Sequence, residues 1–333
     1  MIGLGTMHRI DQRLRQVFPE AKDLWFGGLT VLLCGDFFQL PPVMKRTLYY
    51  AVDSHASLQY IQGRLAYESF EYTAILSRIM RQEGARQFRK ALGELRSGTV
   101  TRESWKLLLT RTRNSISRDE AELFNDAIRL FNTNELTDNV NRSRLRDLGT
   151  PVTAVEAEKE AHKTSHEDAE NLYQTVFLAI GARIRLTQNV WVEHLINGSM
   201  GVIHDIDWPA GTDPRKAMPR AVLVKFDHYT GPALFTDPAD GRPIVPILPV
   251  RREFEYQGVQ CSRRQLPIAL AYAITVQKAQ GLTLERAVID LSLPEFVPGQ
   301  IYVAISRVKT EACYSKPGSI STTSLLEPRW CAR

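Results

Sequence analysis

The sequence has little of what marks several large classes of protein. It has four cysteines, with no C-x-x-C pair and no Cys/His cluster at zinc spacing, which argues against a structural zinc site and predicts reduced thiols. These cysteines are Cys34, Cys261, Cys313 and Cys331. No run approaches the roughly 18 apolar residues of a membrane span. The first residues are too polar for a secretory signal. We therefore expect a soluble intracellular protein.

An excess of charge of one sign is also missing. The net charge is +5, from 42 Lys and Arg against 37 Asp and Glu. This balance is compatible with a polyanionic partner such as nucleic acid, but it is too small to identify one. The composition, 44% hydrophobic over 333 residues, is that of a globular protein, and the length favours two domains.

The first part of the chain has α/β signals. Apolar residues at helical spacing near the start are Met7, Ile10, Leu14 and Val17. The apolar run 29–34 predicts a strand buried on both faces, and it ends in G-D-F-F-Q-L-P-P at 35–42. A second short strand is predicted at 72–76. Residues 84–112 are predicted to be helical, with Phe88, Leu92 and Leu95 on one face and Gly98 as a stop.

The centre of the chain changes from α/β to β texture. A strand is predicted at 128–131, followed by a helix that Asn134 caps and that carries Leu136 and Val140. The polar stretch 156–171 is predicted to be a solvated loop or an exposed helix. From 176 to about 267, short β-like runs separated by turn residues predict a small antiparallel barrel or sheet inserted into an α/β domain. These runs are 182–186, 222–226 and 244–248.

The α/β pattern then resumes. We predict a helix over 266–277, a strand over 287–291 and a helix over 300–308. The tail from 311 to 333 has no clear period and allows no prediction.

Two loops of the amino-terminal part could contact a phosphate. Gln39 follows the buried run 29–34, at the strand end where open α/β sheets gather their ligands, and Pro41-Pro42 stiffens the loop. A proline-rich turn explains this segment equally well. Arg81, in I-M-R-Q, could fork onto phosphate oxygens, although an isolated arginine is usually a surface charge.

Two further segments near the carboxyl end have the same character. Q-K-A-Q-G-L-T at 277–283 places amide, hydroxyl and ammonium donors around a glycine, which suits sugar-phosphate contact, although a helix cap would also explain it. Arg307, in Y-V-A-I-S-R, could act as an arginine finger or be an ordinary helical arginine. The four segments together, in this order, point to phosphate chemistry more strongly than any one of them.

These segments resemble motifs III, IV, V and VI of the Pif-type DNA helicases, relatives of RecD in helicase superfamily one B. The resemblance runs from F-G-G-L-T-V-L-L-C-G-D-F-F-Q-L-P-P through L-S-R-I-M-R-Q, I-G-A-R-I-R-L-T-Q-N-V-W, I-N-G-S-M-G-V-I and V-K-F-D-H-Y-T-G-P to L-P-I-A-L-A-Y-A-I-T-V-Q-K-A-Q-G-L-T-L and Y-V-A-I-S-R-V. It covers about residues 1–309. It implies ATP-dependent movement along single-stranded DNA from 5′ to 3′, with ATP and Mg²⁺ as cofactors and single-stranded or forked DNA as partner.

The resemblance also implies roles for individual residues. Gln39 would sense the phosphate, Arg81 would contact the γ-phosphate, and Arg307 would be the finger, so these three are the candidate catalytic residues. The implied nucleotide-binding residues are Gly35, Asp36, Gln39, Arg81, Gly281 and Arg307. The implied DNA-binding residues are Lys278, Gln280 and Thr283. No metal ligand is predicted within the chain.

The implied fold is a RecA-like P-loop helicase core with a small inserted β-barrel. Residues 1–83 would be an incomplete first RecA-like domain, and 84–175 with 266–310 the second. The stretch 176–265 would contain the insertion, and 311–333 would be a divergent tail. By the same resemblance we expect roles in DNA repair, recombination and telomere maintenance, a nuclear or mitochondrial location in a eukaryote, no membrane partner and a monomer.

The sequence departs from the family pattern at three places. Motif V usually reads H-K-S-Q-G, but here Gln277 and Ala279 replace the imidazole and the hydroxyl. The tail after Lys309 does not resemble the family. The sequence contains no G-x-x-x-x-G-K-[ST], the loop that cradles phosphates and supplies a lysine and a Mg²⁺-binding hydroxyl. We therefore expect the chain to be inactive alone. The alternatives are a single-stranded DNA-binding module without catalysis and a remnant without function.

Overall fold

The computed structural model describes residues 2–42, 44–53, 55–112, 114–160, 164–191, 193–233, 235–291, 297, 299–310 and 313–316. They form two compact units. The first unit contains the described residues up to Thr110 and those from 297 to 310. The second contains those from Arg111 to Leu291 and 313–316. Each unit has a hydrophobic core of its own.

The helices confirm most of the periodic patterns. Their bounds are α1 Leu4–Val17, α2 Leu58–Glu68, α3 Arg86–Ser97, α4 Arg102–Leu109, α5 Arg118–Glu122, α6 Asn134–Asp147 and α7 Gln300–Ile305. The predicted face of α1 is buried at Met7, but its last member, Val17, is 65% exposed. Within the described ranges, no helix has both the length and the apolar character that crossing a membrane requires.

Most described strands lie beyond residue 127, in the second unit. They are β1 Ile128–Phe131, β2 Thr153–Glu156, β3 Glu158–Glu160, β4 Thr175–Leu178, β5 Arg183–Leu186, β6 Met200–Asp207, β7 Ala221–Phe226, β8 Phe235–Thr236, β9 Pro243–Ile247, β10 Val250–Tyr256, β11 Val259–Gln265, β12 Ile268–Leu270, β13 Ala273–Thr275, β14 Ala287–Asp290 and β15 Cys313–Lys316. The predicted strands at 128–131, 182–186, 222–226, 244–248 and 287–291 are confirmed to within one residue at each end.

The core of the first unit forms where α1 and α2 pack together. Its buried side chains are Leu4, Met7, Phe26, Leu48 and Ala66. The two helices come unusually close at Gly63, where a Cβ would lie 2.1 Å from the carbonyl oxygen of Leu4. Only glycine allows this approach, so the packing of α1 on α2 depends on it.

The prediction of two buried strands in the first unit is wrong. Residues 29–34 and 72–76 are not strands in the described part of the chain. Val31 and Leu33 are half-buried against the core, whereas Leu32 between them is 86% exposed. The side chains of the segment therefore alternate between packed and exposed, as in a strand with one buried face, but no neighbouring strand pairs with it in the described structure. Residues 71–80 are exposed throughout.

The predicted helical region 84–112 contains two helices. Phe88, Leu92 and Leu95 are buried on one face of α3, as expected. Gly98 ends α3 in the left-handed conformation, with φ of 70°, where a side chain would be strained. The hydroxyl of Thr101 then accepts a hydrogen bond from the backbone N–H of Ser104 and starts α4.

A parallel sheet in the order β13-β1-β14-β15 organises one side of the second unit. Helix α6 packs on it and carries Asn141, whose side-chain amide binds both backbone groups of Ala273, at 2.8 and 3.0 Å. The residue that caps α6 is Thr133, whose hydroxyl accepts from the backbone N–H of Leu136. Asn134 is instead the first helical residue, which corrects the predicted cap by one position.

The predicted helix over 266–277 is wrong, because this segment forms β12 and β13. Its alanines give it a helical pattern, but Ala273, Ile274 and Thr275 are buried in a strand that pairs with β1 and contacts α6. Tertiary pairing therefore overrides the local propensity. As a consequence, Lys278 and its neighbours follow a strand and not a helix.

The β-rich region forms an antiparallel sheet in the order β12-β5-β6-β7-β9-β8, and β10-β11-β3 form a second sheet. In the described part of the chain the six-stranded sheet is open, with β12 and β8 at its edges, and is not a closed barrel. The stretch 156–171, predicted to be solvated, contains β3 and buries Thr164 and Ala169.

The junction between α3 and α4 depends on the ionised form of Glu94. Its carboxylate accepts hydrogen bonds from the backbone N–H and the hydroxyl of Thr101, at 2.9 and 2.7 Å. Hydrogen bonds from Ser104 and Thr101 lower the pKa of Glu94 to about 2. Because this folded-state pKa is depressed, the stabilisation is fully present above the ordinary value of 4.5 and is lost as the pH falls towards about 2.

We expect Glu94→Gln to lower the free energy of unfolding by about 1 kcal/mol at pH 7, because a charge-assisted cap is lost. Urea denaturation from pH 7 to pH 3 measures this difference, which should shrink as the pH falls. Glu103→Gln is the matched control, since the Glu103 side chain is 87% exposed. Equal stability of the two variants at pH 7 would contradict this role of Glu94.

Candidate phosphate site

Asp36 organises the loop that follows the extended segment 29–34. Its carboxylate accepts a hydrogen bond from the backbone N–H of Phe38 at 3.0 Å, and its carbonyl oxygen accepts from that of Gln39 at 3.1 Å. The side-chain amide of Gln39 lies 3.5 Å from the same carboxylate. These contacts form a tight turn that holds Gln39 beside Asp36.

Arg96, in the last turn of α3, fastens this loop. Its guanidinium lies 3.6 Å from the Asp36 carboxylate and 4.0 Å over the ring of Phe38. An ion pair and a cation–π contact from one side chain fix both the charged and the aromatic part of the loop. The Nε atom of Arg96 is buried without a hydrogen-bond partner in the described structure.

The loop that carries Arg81 is tied to the end of α7. Arg81 donates a hydrogen bond to the carbonyl oxygen of Ser306 at 3.1 Å. The buried amide of Gln82 donates to the same oxygen at 3.1 Å and to that of Val308 at 2.7 Å. We call this group of contacts the Ser306 clamp. It brings Arg81 next to Arg307 although the two are far apart in the sequence.

Arg307 is 3% exposed and follows α7 directly. Its Nε donates to the carbonyl oxygen of Val303 at 2.8 Å, and one Nη donates to the Ser306 hydroxyl at 2.7 Å. In the described residues no carboxylate forms an ion pair with it. Burial, and then the charge of Arg81, lower its pKa to about 10, so it stays protonated near neutral pH.

The charged and phenolic side chains of these loops and helices lie close enough to influence one another electrostatically. Burial raises the pKa of Tyr302, and Arg96, Asp36, Arg307 and Arg81 all influence it. Burial lowers the pKa of Arg81, and Tyr302 opposes that change. The site therefore gathers three guanidinium groups around one carboxylate and one phenol. Such a cluster favours the binding of an additional anion.

The structure therefore brings together Gly35, Asp36, Gln39, Arg81 and Arg307 in the first unit. Gln82, Arg96 and Tyr302 also belong to this group, and sequence analysis missed them. Tyr302 and Gln82 each lie within a segment that the motifs mark, Y-V-A-I-S-R and I-M-R-Q. For Arg96 we find no sequence signal, because its contacts depend on how α3 is placed.

The other predicted site residues lie in the second unit. Lys278, Gln280, Gly281 and Thr283 form a turn after β13. Gly281 has φ of 82° and open space where a Cβ would lie, so the turn needs glycine for its conformation and not for room. Lys278 donates a hydrogen bond to the hydroxyl of Tyr173 at 3.0 Å.

Comparisons with known proteins show what this chain is similar to. Residues 1–105 match the model of the PIF1-like helicase family. The chain is 27% identical to the ATP-dependent DNA helicase PIF1 of Emericella nidulans, over 86% of this chain and 42% of the relative. It is 28% identical to Pif1 of Campylobacter jejuni, over 86% and 62%, and 30% identical to PIF1 of Xenopus laevis, over 87% and 41%. The chain thus spans about half the length of these curated relatives.

Solved structures show the same fold. The Pif1 helicase of Candida albicans matches with a TM-score of 0.70 and 22% identity, over 99% of this chain and 72% of that one. A Bacteroides Pif1 helicase in complex with ADP-AlF3 and single-stranded DNA matches with a TM-score of 0.64 and 23% identity, over 99% and 71%. The chain is therefore related, by sequence and by fold, to the PIF1-like helicases.

Proposed function

We propose that this chain supplies one side of the ATP site, and part of the DNA-binding surface, of a 5′-to-3′ DNA helicase of the Pif type. Arg81 and Arg307 neutralise charge on the transferred phosphoryl group, and Gln39 senses the phosphate. The observation that carries this proposal is the buried guanidinium of Arg307 with the half-buried guanidinium of Arg81 beside it. Like charges are held together in a protein interior at a cost, which an anion between them offsets.

The donors of this site suit a phosphate chain. Guanidinium groups bind phosphate oxygens in a planar fork, and an arginine at the transition state accelerates phosphoryl transfer by about 10³–10⁵ where it acts as a finger. The Ser306 clamp orients Arg81 by a backbone contact. Gln39, held by Asp36, offers an uncharged amide that can donate to a phosphate oxygen.

The chain does not carry every part of an ATP site. The sequence has no G-x-x-x-x-G-K-[ST], and no group of His, Cys, Asp and Glu side chains in the described part could hold a metal ion. Contacts worth about 1.5–3 kcal/mol each are missing, so the 333 residues alone should bind ATP weakly and not hydrolyse it.

The DNA part of the proposal rests on the turn after β13. Lys278, Gln280 and Thr283 offer ammonium, amide and hydroxyl donors at a strand end, which suit sugar-phosphate contacts with single-stranded or forked DNA. In the same proposal, residues 1–83 belong to the first RecA-like domain. The second comprises 84–175 and 266–310, with the insertion within 176–265.

The cellular side of the proposal rests on the resemblance of the sequence motifs to the Pif-type family. We assign the chain to DNA repair, recombination and telomere maintenance, in the nucleus or mitochondrion if the source is a eukaryote. A second candidate function is a DNA-binding module without catalysis. The absence of the phosphate-cradling loop from the sequence favours it, and the second unit, which carries the proposed DNA-binding turn, has a hydrophobic core of its own.

If Arg307 is buried for an anion, its removal should stabilise the protein without ligand. We expect Arg307→Met to raise the free energy of unfolding by about 1 kcal/mol in chloride buffer, because a buried cation without a carboxylate is replaced by an apolar side chain of similar length. Urea denaturation measures this change. The control is Arg78→Met, at a side chain that is 73% exposed, and its effect should be within about 0.5 kcal/mol. A clear loss of stability in Arg307→Met would make the guanidinium a structural tie.

The DNA and ATP parts can be tested on the full chain. We expect a fluorescent oligothymidylate to bind with an affinity that falls steeply with salt, and phosphate release from ATP to stay at background with DNA present. Lys278→Gln should weaken binding by about tenfold and reduce the salt slope by about one phosphate contact. Lys216→Gln, which removes the same charge from an exposed loop, should change neither. Salt-independent binding would refute the DNA part, and DNA-stimulated hydrolysis would refute the inactivity.

A further inference from the structure

Two cations in the second unit converge on one neutral oxygen. Arg185, on β5, is 8% exposed, and its guanidinium lies 3.5 Å from the hydroxyl of Tyr173. The Lys278 ammonium is 3.0 Å from the same hydroxyl. Both charged groups therefore lie next to the Tyr173 hydroxyl, although Arg185 is on β5 and Lys278 is in the turn after β13.

Neither cation has an ionic partner there. In the described residues, no carboxylate forms an ion pair with Arg185 or Lys278. Arg183, two residues earlier on the same strand, shows the usual solution: its guanidinium binds the Asp227 carboxylate through two hydrogen bonds, one of them 2.7 Å long. A buried charge without such compensation is unfavourable.

The hydrogen bonds of Arg185 compensate for little of this cost. They reach the carbonyl oxygen of Leu186 at 3.3 Å and the Tyr173 hydroxyl at 3.5 Å, both near the outer limit for a hydrogen bond. A guanidinium has five N–H donors, so most of its capacity remains for another acceptor. This acceptor must be anionic if it is to offset the charge.

The surroundings hold the two cations in place. The ring of His166 stacks on Tyr173 with centroids 4.3 Å apart and planes 10° apart, and its Nε2 lies 3.5 Å from the Lys278 ammonium. Burial, and then Lys278, lower the pKa of His166. The imidazole is therefore neutral near pH 7 and can accept a hydrogen bond from Lys278.

Arg263 fixes the segment that carries these two rings. It is 1% exposed and donates hydrogen bonds to the carbonyl oxygens of Thr164, at 3.0 Å, and Leu172, at 2.7 Å. Arg263 thus bridges Thr164 and Leu172. His166 lies between these two residues in the sequence, and Tyr173 follows Leu172. The acceptors of Lys278 are therefore anchored before any ligand arrives.

We propose that Arg185, Lys278 and the Tyr173 hydroxyl form a binding site for a phosphate group. The guanidinium offers a fork for two oxygens, the ammonium a point charge, and the phenol, whose lone pairs face the cations, can donate its proton to a third oxygen. Three convergent donors of these kinds suit a tetrahedral anion. The source of this phosphate group rests on the proposed function. It is a DNA backbone if the chain binds DNA as proposed, and a free phosphate if the chain does not.

The test uses the full chain labelled with ¹⁵N-arginine. The Nε–H resonance of Arg185, assigned by its loss in Arg185→Lys, should shift saturably when inorganic phosphate replaces chloride at constant ionic strength. Tyr173→Phe and Lys278→Gln should each weaken this titration by about tenfold, because each removes one charge-assisted contact. The resonance of Arg183, which is already ion-paired, is the internal control and should not move.

An oligothymidylate distinguishes the two sources of phosphate. A shift of the Arg185 resonance with the oligonucleotide as well as with phosphate supports a DNA backbone contact, and a shift with phosphate alone supports a free-anion site. An Arg185 resonance that moves with neither would overturn the proposal. So would equal phosphate affinity in the wild type and in Lys278→Gln. Because the phosphate titration needs no DNA, it can succeed even if the chain fails to bind DNA.

Discussion

The first unit depends on the Ser306 clamp. Two adjacent side chains, Arg81 and Gln82, donate to one carbonyl oxygen at the end of α7, and Gln82 also binds the carbonyl oxygen of Val308. These three bonds join parts of the chain that no local structure brings together. Because the bonds use backbone acceptors, they fix the position of Arg81 whatever side chain occupies position 306. Arg307 follows in the sequence, so the same contacts bring the second arginine beside the first.

Each unit contains a buried arginine, Arg307 in the first and Arg185 in the second, that forms no ion pair with a carboxylate in the described residues. In the first, Arg96 pairs with Asp36, while the hydrogen bonds of Arg307 in the described residues go to a carbonyl oxygen and a hydroxyl. In the second, Arg185 faces a phenol. Proteins rarely bury charge in this way without a partner, since the desolvation cost exceeds what neutral acceptors return. An anionic ligand at either place would offset this cost.

Sequence reasoning succeeded where local pattern and tertiary pairing agree. The strands at Ile128–Phe131 and Ala287–Asp290 were predicted because both are apolar runs that pair in the described sheet. It failed over 266–277, where alanines favour a helix but pairing with β1 imposes a strand. The order of the four motif segments along the chain indicates that Gln39, Arg81 and Arg307 belong to one site. It could not reveal Arg96, whose two contacts arise only after α3 is packed against the loop.

Residues 29–34 do not form the predicted strand, and this explains why the contacts of Arg96 are needed to place the loop that follows. A paired strand would fix the loop after it through ladder hydrogen bonds, but this segment packs only Val31 and Leu33 against the core and has no strand beside it in the described structure. The turn at Asp36 is rigid within itself, yet its placement needs an external tie. Arg96 provides that tie through the carboxylate and the ring of Phe38. The position of Gln39 is therefore set by a side chain of α3 as well as by the turn at Asp36 that carries it.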